Sequence, residues 1–154
     1  MFQPIKDKQL VEILGRNRLV NELLVAGIEV ARPERDQGID LIAYIATDTI
    51  FKARPLQLKA ASNSSFSIHR KYERFKNLLL VYLWGLQSDR PNETYALTFA
   101  EAVAVADSKG YTQKPSWTEH GSYGVTYVNP ESELAKLLAL YRMTPEKWRM
   151  RIME

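Results

Sequence analysis

The chain has 154 residues, 45% of them hydrophobic and 25% charged, which is the balance of a single soluble domain with an ordinary core. The absence of cysteine excludes disulfides, zinc–thiolate centres and catalysis by a thiol. No signal-peptide pattern occurs over residues 1–8, and the longest apolar run, residues 78–83, is too short to span a membrane. We therefore expect one cytoplasmic domain over residues 1–154 that does not associate with membranes.

The net charge is only +3, but the charges are unevenly distributed. Residues 52–76 contain seven basic side chains and one acidic side chain, whereas residues 92–135 contain six acidic and two basic ones. A polyanion such as nucleic acid would be attracted to the basic segment. A solvated helix face is the alternative explanation, and charge alone favours it.

The first part of the chain predicts a helix followed by three strands. Apolar residues at helical spacing indicate a first helix, which Gly27 is placed to end. Pro55 lacks an N–H donor, which indicates that its strand lies at an edge or contains a bulge. The elements predicted up to residue 60 are a helix over 6–26, strands over 28–31, 39–46 and 50–60, and a polar loop over 32–38.

The second part predicts alternating helices and strands. Ser67 is a candidate N-cap for a helix that runs through Phe75, and residues 77–84 are apolar enough for a buried, central strand. Thr144 and Pro145 mark the start of a short last helix. The other predicted elements are a strand over 93–99, a helix over 100–109, a loop over 111–122, a strand over 123–128, and a helix that Asn129 or Ser132 caps and that continues to about 141.

The predicted order of elements, α-β-β-β-α-β-β-α-β-α, indicates an α/β fold with a mixed central β-sheet flanked by helices. Three polar residues should meet at one end of this sheet. Asp40 opens one strand, and Gln57 and Lys59 point to one face of the next. A turn centred near 48–50 would bring Asp40 opposite residues 57–59.

An acid, a second oxygen ligand and a lysine suit metal-assisted cleavage of a phosphodiester. A carboxylate and an amide or carbonyl oxygen hold Mg²⁺ while several waters remain in its shell. The metal polarises the phosphate, and the lysine orients a water or stabilises charge on phosphorus. An ordinary polar strand end is the alternative interpretation of Asp40, Gln57 and Lys59.

The residues Gly38-Ile39-Asp40, followed by a hairpin and Gln57-Leu58-Lys59, resemble the PD-(D/E)XK nuclease superfamily, which includes restriction endonucleases and archaeal Holliday junction resolvases. The order of elements over roughly residues 10–100 resembles it as well. The resemblance implies a restriction endonuclease-like core. It also implies a Mg²⁺ or Mn²⁺ site formed by Asp40, Gln57 and the Leu58 carbonyl, with Lys59 as the catalytic lysine.

Two departures from the superfamily pattern concern charge. Gln57 occupies the place usually held by Glu, which should weaken metal binding. The superfamily often has a Gly-Glu pair on the first helix, and this sequence has Gly15-Arg16 instead. Glu12 lies one turn away and could substitute, although a solvated helix residue is the alternative, and Glu22 is expected to be solvated. We therefore expect single-metal or impaired chemistry rather than two-metal chemistry.

Two functions are consistent with these residues. In a Mg²⁺-dependent nuclease, Arg70, Lys71 and Arg74 on the predicted basic helix would hold the DNA backbone beside the site, and hydroxyl groups of the loop over 62–67 are further candidates for phosphate contact. Nucleases often act as dimers on two-fold targets, so a homodimer is among the expected assemblies.

The alternative is a catalytically impaired protein of the same fold that binds nucleic acid or a protein partner. Arg16 and Gln57 favour it, because each removes negative charge from the site. A structural or regulatory protein without nucleic-acid contacts is a third interpretation, in which the acidic segment over 92–135 would be the contact surface.

Overall fold

A computed structural model of the chain describes residues 7–154, so residues 1–6, with the first position of the predicted first helix, lie outside the described residues. The 3-10 helices lie at Arg70–Arg74 and Tyr111–Gln113. The helices and strands are α1 (Lys8–Val25), β1 (Glu29–Ala31), β2 (Leu41–Ala46), β3 (Phe51–Ala60), β4 (Phe66–His69), β5 (Leu79–Trp84), β6 (Glu93–Thr98), α2 (Phe99–Ser108), α3 (Pro115–His120), β7 (Ser122–Val125), α4 (Glu133–Ala139) and α5 (Pro145–Met153).

Five strands form one mixed sheet in the order β1-β2-β3-β5-β6, and β4 pairs with β7 in a separate two-stranded sheet, here called the ribbon. β3 and β5 run parallel, and the other neighbours in the main sheet run antiparallel. A parallel pair needs a crossover connection, and this crossover carries β4 and the first 3-10 helix. The predicted α/β fold, with a mixed sheet flanked by helices, is confirmed.

β5 is the centre of the core, since all six of its residues are buried. Successive side chains of a strand point to opposite faces of the sheet. One face of β5 packs with residues of α1 and α5, and the other face packs with residues of α2, α4 and β4. This arrangement confirms the buried, central strand predicted over 77–84.

The first helix lies unusually close to the sheet. It begins after the N-cap residue Asp7, whose Oδ1 accepts a hydrogen bond from a backbone N–H of the first turn at 2.7 Å. At Gly15, an added Cβ would lie 2.9 Å from the Cβ of Ala60, the last residue of β3. The missing side chain thus allows α1 to approach the end of the strand that carries the predicted site.

Glu22 is not solvated as expected. Its carboxylate accepts hydrogen bonds from Thr94 Oγ1 at 2.8 Å and from Trp148 Nε1 at 2.9 Å. One turn earlier, Arg18 donates to the Trp84 carbonyl at 2.6 Å. The expectation is wrong because this side of α1 faces β6 and α5 instead of solvent.

The predicted helix over 67–75 is also wrong. The chain forms β4, whose apolar residues Phe66 and Ile68 are buried, and then a single 3-10 helix. The cap is His69 and not Ser67: its Nδ1 accepts a hydrogen bond at 3.0 Å from the backbone N–H two residues later. Pairing with β7, which is distant in sequence, overrides the helical pattern.

Three smaller differences concern the strands and the loop after α2. β3 is not an edge strand, since it lies between β2 and β5. Its register with β5 begins at Leu56, however, so Pro55 has only β2 as a neighbour. The predicted loop over 111–122 contains α3, and the last strand is shorter than predicted and belongs to the ribbon.

Among residues 7–154, no helix has the length and apolar character needed to cross a membrane.

We expect Gly15→Ala to lower the free energy of unfolding by about 1–3 kcal/mol, because the added methyl group overpacks against Ala60. At an unobstructed helix position, Gly→Ala raises the free energy of unfolding by roughly 0.5–1 kcal/mol. The sign of the measured change therefore tests whether α1 lies as close to Ala60 as described. Urea denaturation followed by circular dichroism measures it. Ala60→Gly should recover part of the loss in the double variant, and a stabilised Gly15→Ala protein would contradict the packing described.

Candidate functional site

Asp40 lies one residue before β2, where the antiparallel register with β3 ends. Its N–H donates to the Leu56 carbonyl at 2.9 Å. Its Oδ2 accepts a hydrogen bond from the Leu58 N–H at 2.8 Å. Backbone and side chain of Asp40 are therefore both attached to β3, and the carboxylate is held at the end of the sheet.

Gln57 lies between these two contact points on β3. Its Oε1 is buried and, within the described part of the chain, has no hydrogen-bond partner. Leaving such an oxygen unpaired costs about 1–3 kcal/mol. A cation or a water molecule is the kind of partner that satisfies it.

Lys59 lies two residues after Gln57, and its side chain therefore points to the same face of β3. Its Nζ donates to the hydroxyl oxygen of Tyr72 at 3.0 Å and lies 4.6 Å from the centre of the Tyr72 ring. Tyr72 belongs to the first 3-10 helix and is only 4% exposed. A rigid aromatic residue thus fixes the position of the lysine ammonium group.

The predicted residues line one open cleft of about 770 Å³. Its walls come from three parts of the fold: the first half of α1, the loop after β1, and the ends of β2 and β3 with the chain that follows. Acidic and basic side chains both occur there. The charged residues that line it are Glu12, Asp36, Asp40, Lys8, Arg16, Arg32 and Lys59, and Gln57 and Leu58 lie among them.

The pKa of Asp40 is raised and the pKa of Lys59 is lowered relative to their ordinary values. Burial raises the pKa of Asp40, and the negative charges of Asp36 and Glu12 raise it further. The hydrogen bond from the Leu58 N–H and the positive charge of Lys59 lower this pKa, but the net shift is upward. Burial lowers the pKa of Lys59, and the Asp40 charge partly compensates. Each charged form is thus less favourable here than in water, and a bound ion of opposite charge would stabilise it.

Three oxygen atoms near the end of β3 are of the kind that could coordinate a divalent cation: a carboxylate oxygen of Asp40, the Oε1 of Gln57, and the carbonyl of Leu58. The N–H and C=O of one strand residue point to the same side, so the Leu58 carbonyl points past the end of β2, toward Asp40. Within residues 7–154 there is no group of three His, Asp or Glu side chains that could hold a metal ion. One carboxylate with neutral oxygens suits a single Mg²⁺ that keeps several waters.

The three predicted DNA-contacting residues are separated. Lys71 and Arg74 line a second cleft of about 290 Å³, which shares Asp36 and Gln57 with the first. Arg70 lines neither of these clefts; its guanidinium lies 4.9 Å from the centre of the Trp117 ring. Two of the three predicted residues, Lys71 and Arg74, therefore place positive charge next to the main cleft.

Sequence reasoning missed several residues of the cleft. Tyr72 was not singled out, because its contact with Lys59 depends on the 3-10 helix that replaces the predicted α-helix. Asp36 lies in the predicted polar loop, where an Asp two residues before a Gly signals a side-chain turn. Its Oδ1 accepts a hydrogen bond from the Gly38 N–H at 3.2 Å. By contrast, Ser65 and Ser67, which line the cleft, belong to the loop over 62–67 whose hydroxyl groups the sequence indicates as candidates for phosphate contact.

Comparison with known proteins identifies a fold and not a family. No family model matches the chain, and no curated protein matches it in sequence. Among solved structures, the fold resembles that of a bacterial homing endonuclease, I-Ssp6803I, with a TM-score of 0.53 at 12% sequence identity. The similarity covers 97% of this chain and 94% of that one, so the whole domain shares a nuclease-like fold.

We expect Tyr72→Phe to lower the free energy of unfolding by about 1–3 kcal/mol, because the partly buried Lys59 ammonium loses its hydrogen-bond acceptor. Chemical denaturation measures the loss. In a Lys59→Met background the same substitution should cost clearly less, because no ammonium is left without an acceptor. Equal costs in the two backgrounds would show that the hydroxyl does not hold Lys59.

Proposed function

We propose that the protein is a metal-dependent nuclease of the PD-(D/E)XK superfamily that hydrolyses phosphodiester bonds of DNA with Mg²⁺ or Mn²⁺. The observation that carries the proposal is that Asp40, Gln57 and Lys59 line one open cleft at the end of the sheet. The Gln57 Oε1, which has no hydrogen-bond partner among the described residues, adds support. The fold that the chain shares with a homing endonuclease supports it, as does the position of basic side chains along the cleft.

In the proposed reaction, Asp40, Gln57 Oε1 and the Leu58 carbonyl would hold the metal ion, and the ion would supply polarisation of the scissile phosphate and activation of water. Lys59 places its ammonium group where negative charge develops on the phosphate oxygens. Tyr72 restricts the Lys59 Nζ to one position, so little reorganisation is needed when the phosphate arrives. Glu12 is the acid of α1 nearest to this centre in the wall of the cleft and orients water there.

DNA is held in this proposal mainly through its phosphates. Arg16 and Arg32 line the main cleft, and Lys71 and Arg74 line the adjoining one. Binding of this kind weakens steeply as the salt concentration rises. Cleavage of both strands of a duplex would require two copies of the site, which is the reason to propose a homodimer. Action on DNA also agrees with the cytoplasmic location expected from the sequence.

Nicking of a supercoiled plasmid tests the proposed activity. We expect cleavage that requires Mg²⁺ or Mn²⁺ and that falls by at least about 100-fold in both Asp40→Asn and Lys59→Met. The first change removes the carboxylate charge that would hold the metal ion, and the second removes the positive charge that acts on the phosphate. Lys52→Met is the matched control, since Lys52 is exposed on the other half of β3. Intact plasmid under all metal conditions, with a folded protein, would contradict the proposal.

A binding protein without nuclease activity is the second candidate. Arg16 favours it, because this cation lines the cleft where an acid of the first helix is often found in the superfamily. Retained affinity for DNA, a steep salt dependence and no cleavage would support this function. Absence of any DNA binding would instead favour a protein partner.

We expect Gln57→Glu to tighten divalent-cation binding about tenfold, because a second carboxylate at the end of β3 adds a favourable ligand charge. Without metal, the same variant should be less stable, since two partly buried carboxylates then repel each other. Thermal unfolding with EDTA and with increasing Mn²⁺ measures both effects. Gln113→Glu, at an exposed position after α2, serves as the control, and an equal response of both variants to Mn²⁺ would count against a metal at Gln57.

A further inference from the structure

The ribbon has one apolar and one polar face. Phe66 and Ile68 of β4 are buried in the core with residues of α2 and α4. The alternate positions point the other way, where Ser67 lies opposite Gly124 and His69 lies opposite Ser122. These four residues are here called the outer face of the ribbon, and all of them are partly or fully exposed.

The core of the protein fixes the ribbon in place. The Tyr82 hydroxyl donates to the Ser67 carbonyl at 2.7 Å, and Trp84 Nε1 donates to the Ser65 carbonyl at 2.8 Å. Both aromatic residues belong to β5, the fully buried central strand. The ribbon is therefore a rigid element and not a loose hairpin.

The outer face meets the wall of the main cleft at Ser67. Ser65 and Ser67 line the same cleft as Asp40 and Lys59, so a polymer whose phosphate reaches the metal site also passes the ribbon. Ser67 and Ser122 of the outer face have short, polar side chains, and Gly124 leaves the backbone accessible at its centre. His69 Nδ1 already accepts a backbone hydrogen bond, which leaves Nε2 directed to other partners.

These dimensions suit the major groove of a DNA duplex. Four residues of each strand extend about 13 Å, and paired strands lie about 4.8 Å apart. With its side chains included, a two-stranded ribbon suits the major groove, about 12 Å wide, better than the minor groove of about 6 Å. Hydroxyl groups such as those of Ser67 and Ser122 accept and donate hydrogen bonds at base edges. The major groove of an RNA duplex is too deep and narrow for side chains.

We propose that the outer face of the ribbon enters the major groove of duplex DNA and determines sequence preference, while the adjoining cleft holds the phosphate backbone. This inference rests on the proposed function for its choice of partner. It assigns different roles to the two surfaces. Basic residues of the clefts supply affinity that depends on salt, and the ribbon supplies contacts to bases.

Gly124→Val tests the role of the ribbon without disturbing the fold. An added Cβ meets Ser67 Cβ at 3.6 Å, an ordinary contact, and the Gly124 φ is not positive. Valine also favours strands, so the variant should fold. Affinity for a 20-base-pair DNA duplex should fall by about tenfold or more, because the side chain blocks close approach to the groove. Ala53→Val, at an exposed position of β3, should bind as the parent does.

Groove-selective probes identify the surface that the ribbon contacts. Binding is measured with Mg²⁺ in the Lys59→Met background, so that the DNA stays intact. A duplex with bulky C5 substituents on its pyrimidines, which fill the major groove, should bind about tenfold more weakly or worse. Netropsin, which occupies the minor groove, should have little effect, and an RNA duplex should compete poorly.

The outcomes separate this inference from the proposed function. If Gly124→Val binds duplex DNA like the parent, or if netropsin competes while the C5-modified duplex binds normally, the ribbon does not enter the major groove, and the nuclease proposal is unaffected. If the unmodified protein shows the predicted groove profile but never cleaves DNA, the ribbon proposal stands and the enzymatic one fails. Absence of duplex binding overturns the ribbon proposal directly.

Discussion

The hydrogen bond from the Leu58 N–H to the Asp40 carboxylate is the contact on which the candidate site depends. The register between β2 and β3 ends at Leu41 and Leu56, so the next N–H of β3 on that side has no strand partner. Asp40 supplies the missing acceptor from its side chain. The same geometry leaves the Leu58 carbonyl beyond the end of β2, so that one strand end provides both a fixed carboxylate and a backbone oxygen.

The burial and the charges around Asp40 explain why a neutral residue at position 57 is tolerable. Burial and the nearby charges of Asp36 and Glu12 already raise the pKa of Asp40, and the Leu58 N–H only partly offsets this. A glutamate at position 57 would add another negative charge to a site that destabilises the one it has. Gln57 keeps an oxygen at the required place without that repulsion. The cost is a weaker attraction for a metal ion.

Local patterns in the sequence were sufficient to predict the main sheet and the convergence of Asp40, Gln57 and Lys59, because strand periodicity and a short hairpin determine them. The ribbon could not be predicted in this way. Alternation indicates a strand over 123–128, which corresponds to Ser122–Val125, but its partner Phe66–His69 contains only four residues and is far away in sequence. Local patterns therefore do not show that the two strands pair. Tyr72 was missed for the same reason, since its contact with Lys59 depends on where β4 ends.

The charges of the cleft connect metal binding with DNA binding in the proposed function. With Asp40 as the carboxylate nearest the metal position, the protein alone offers a divalent cation few negative ligands. A DNA phosphate held by Arg16, Arg32 and Lys59 brings further negative oxygens to that position. Each of the two ligands therefore improves the site for the other, and this coupling is reciprocal by thermodynamic necessity. In the proposed function, a neutral Gln57 would thus make stable metal binding depend on the presence of the substrate.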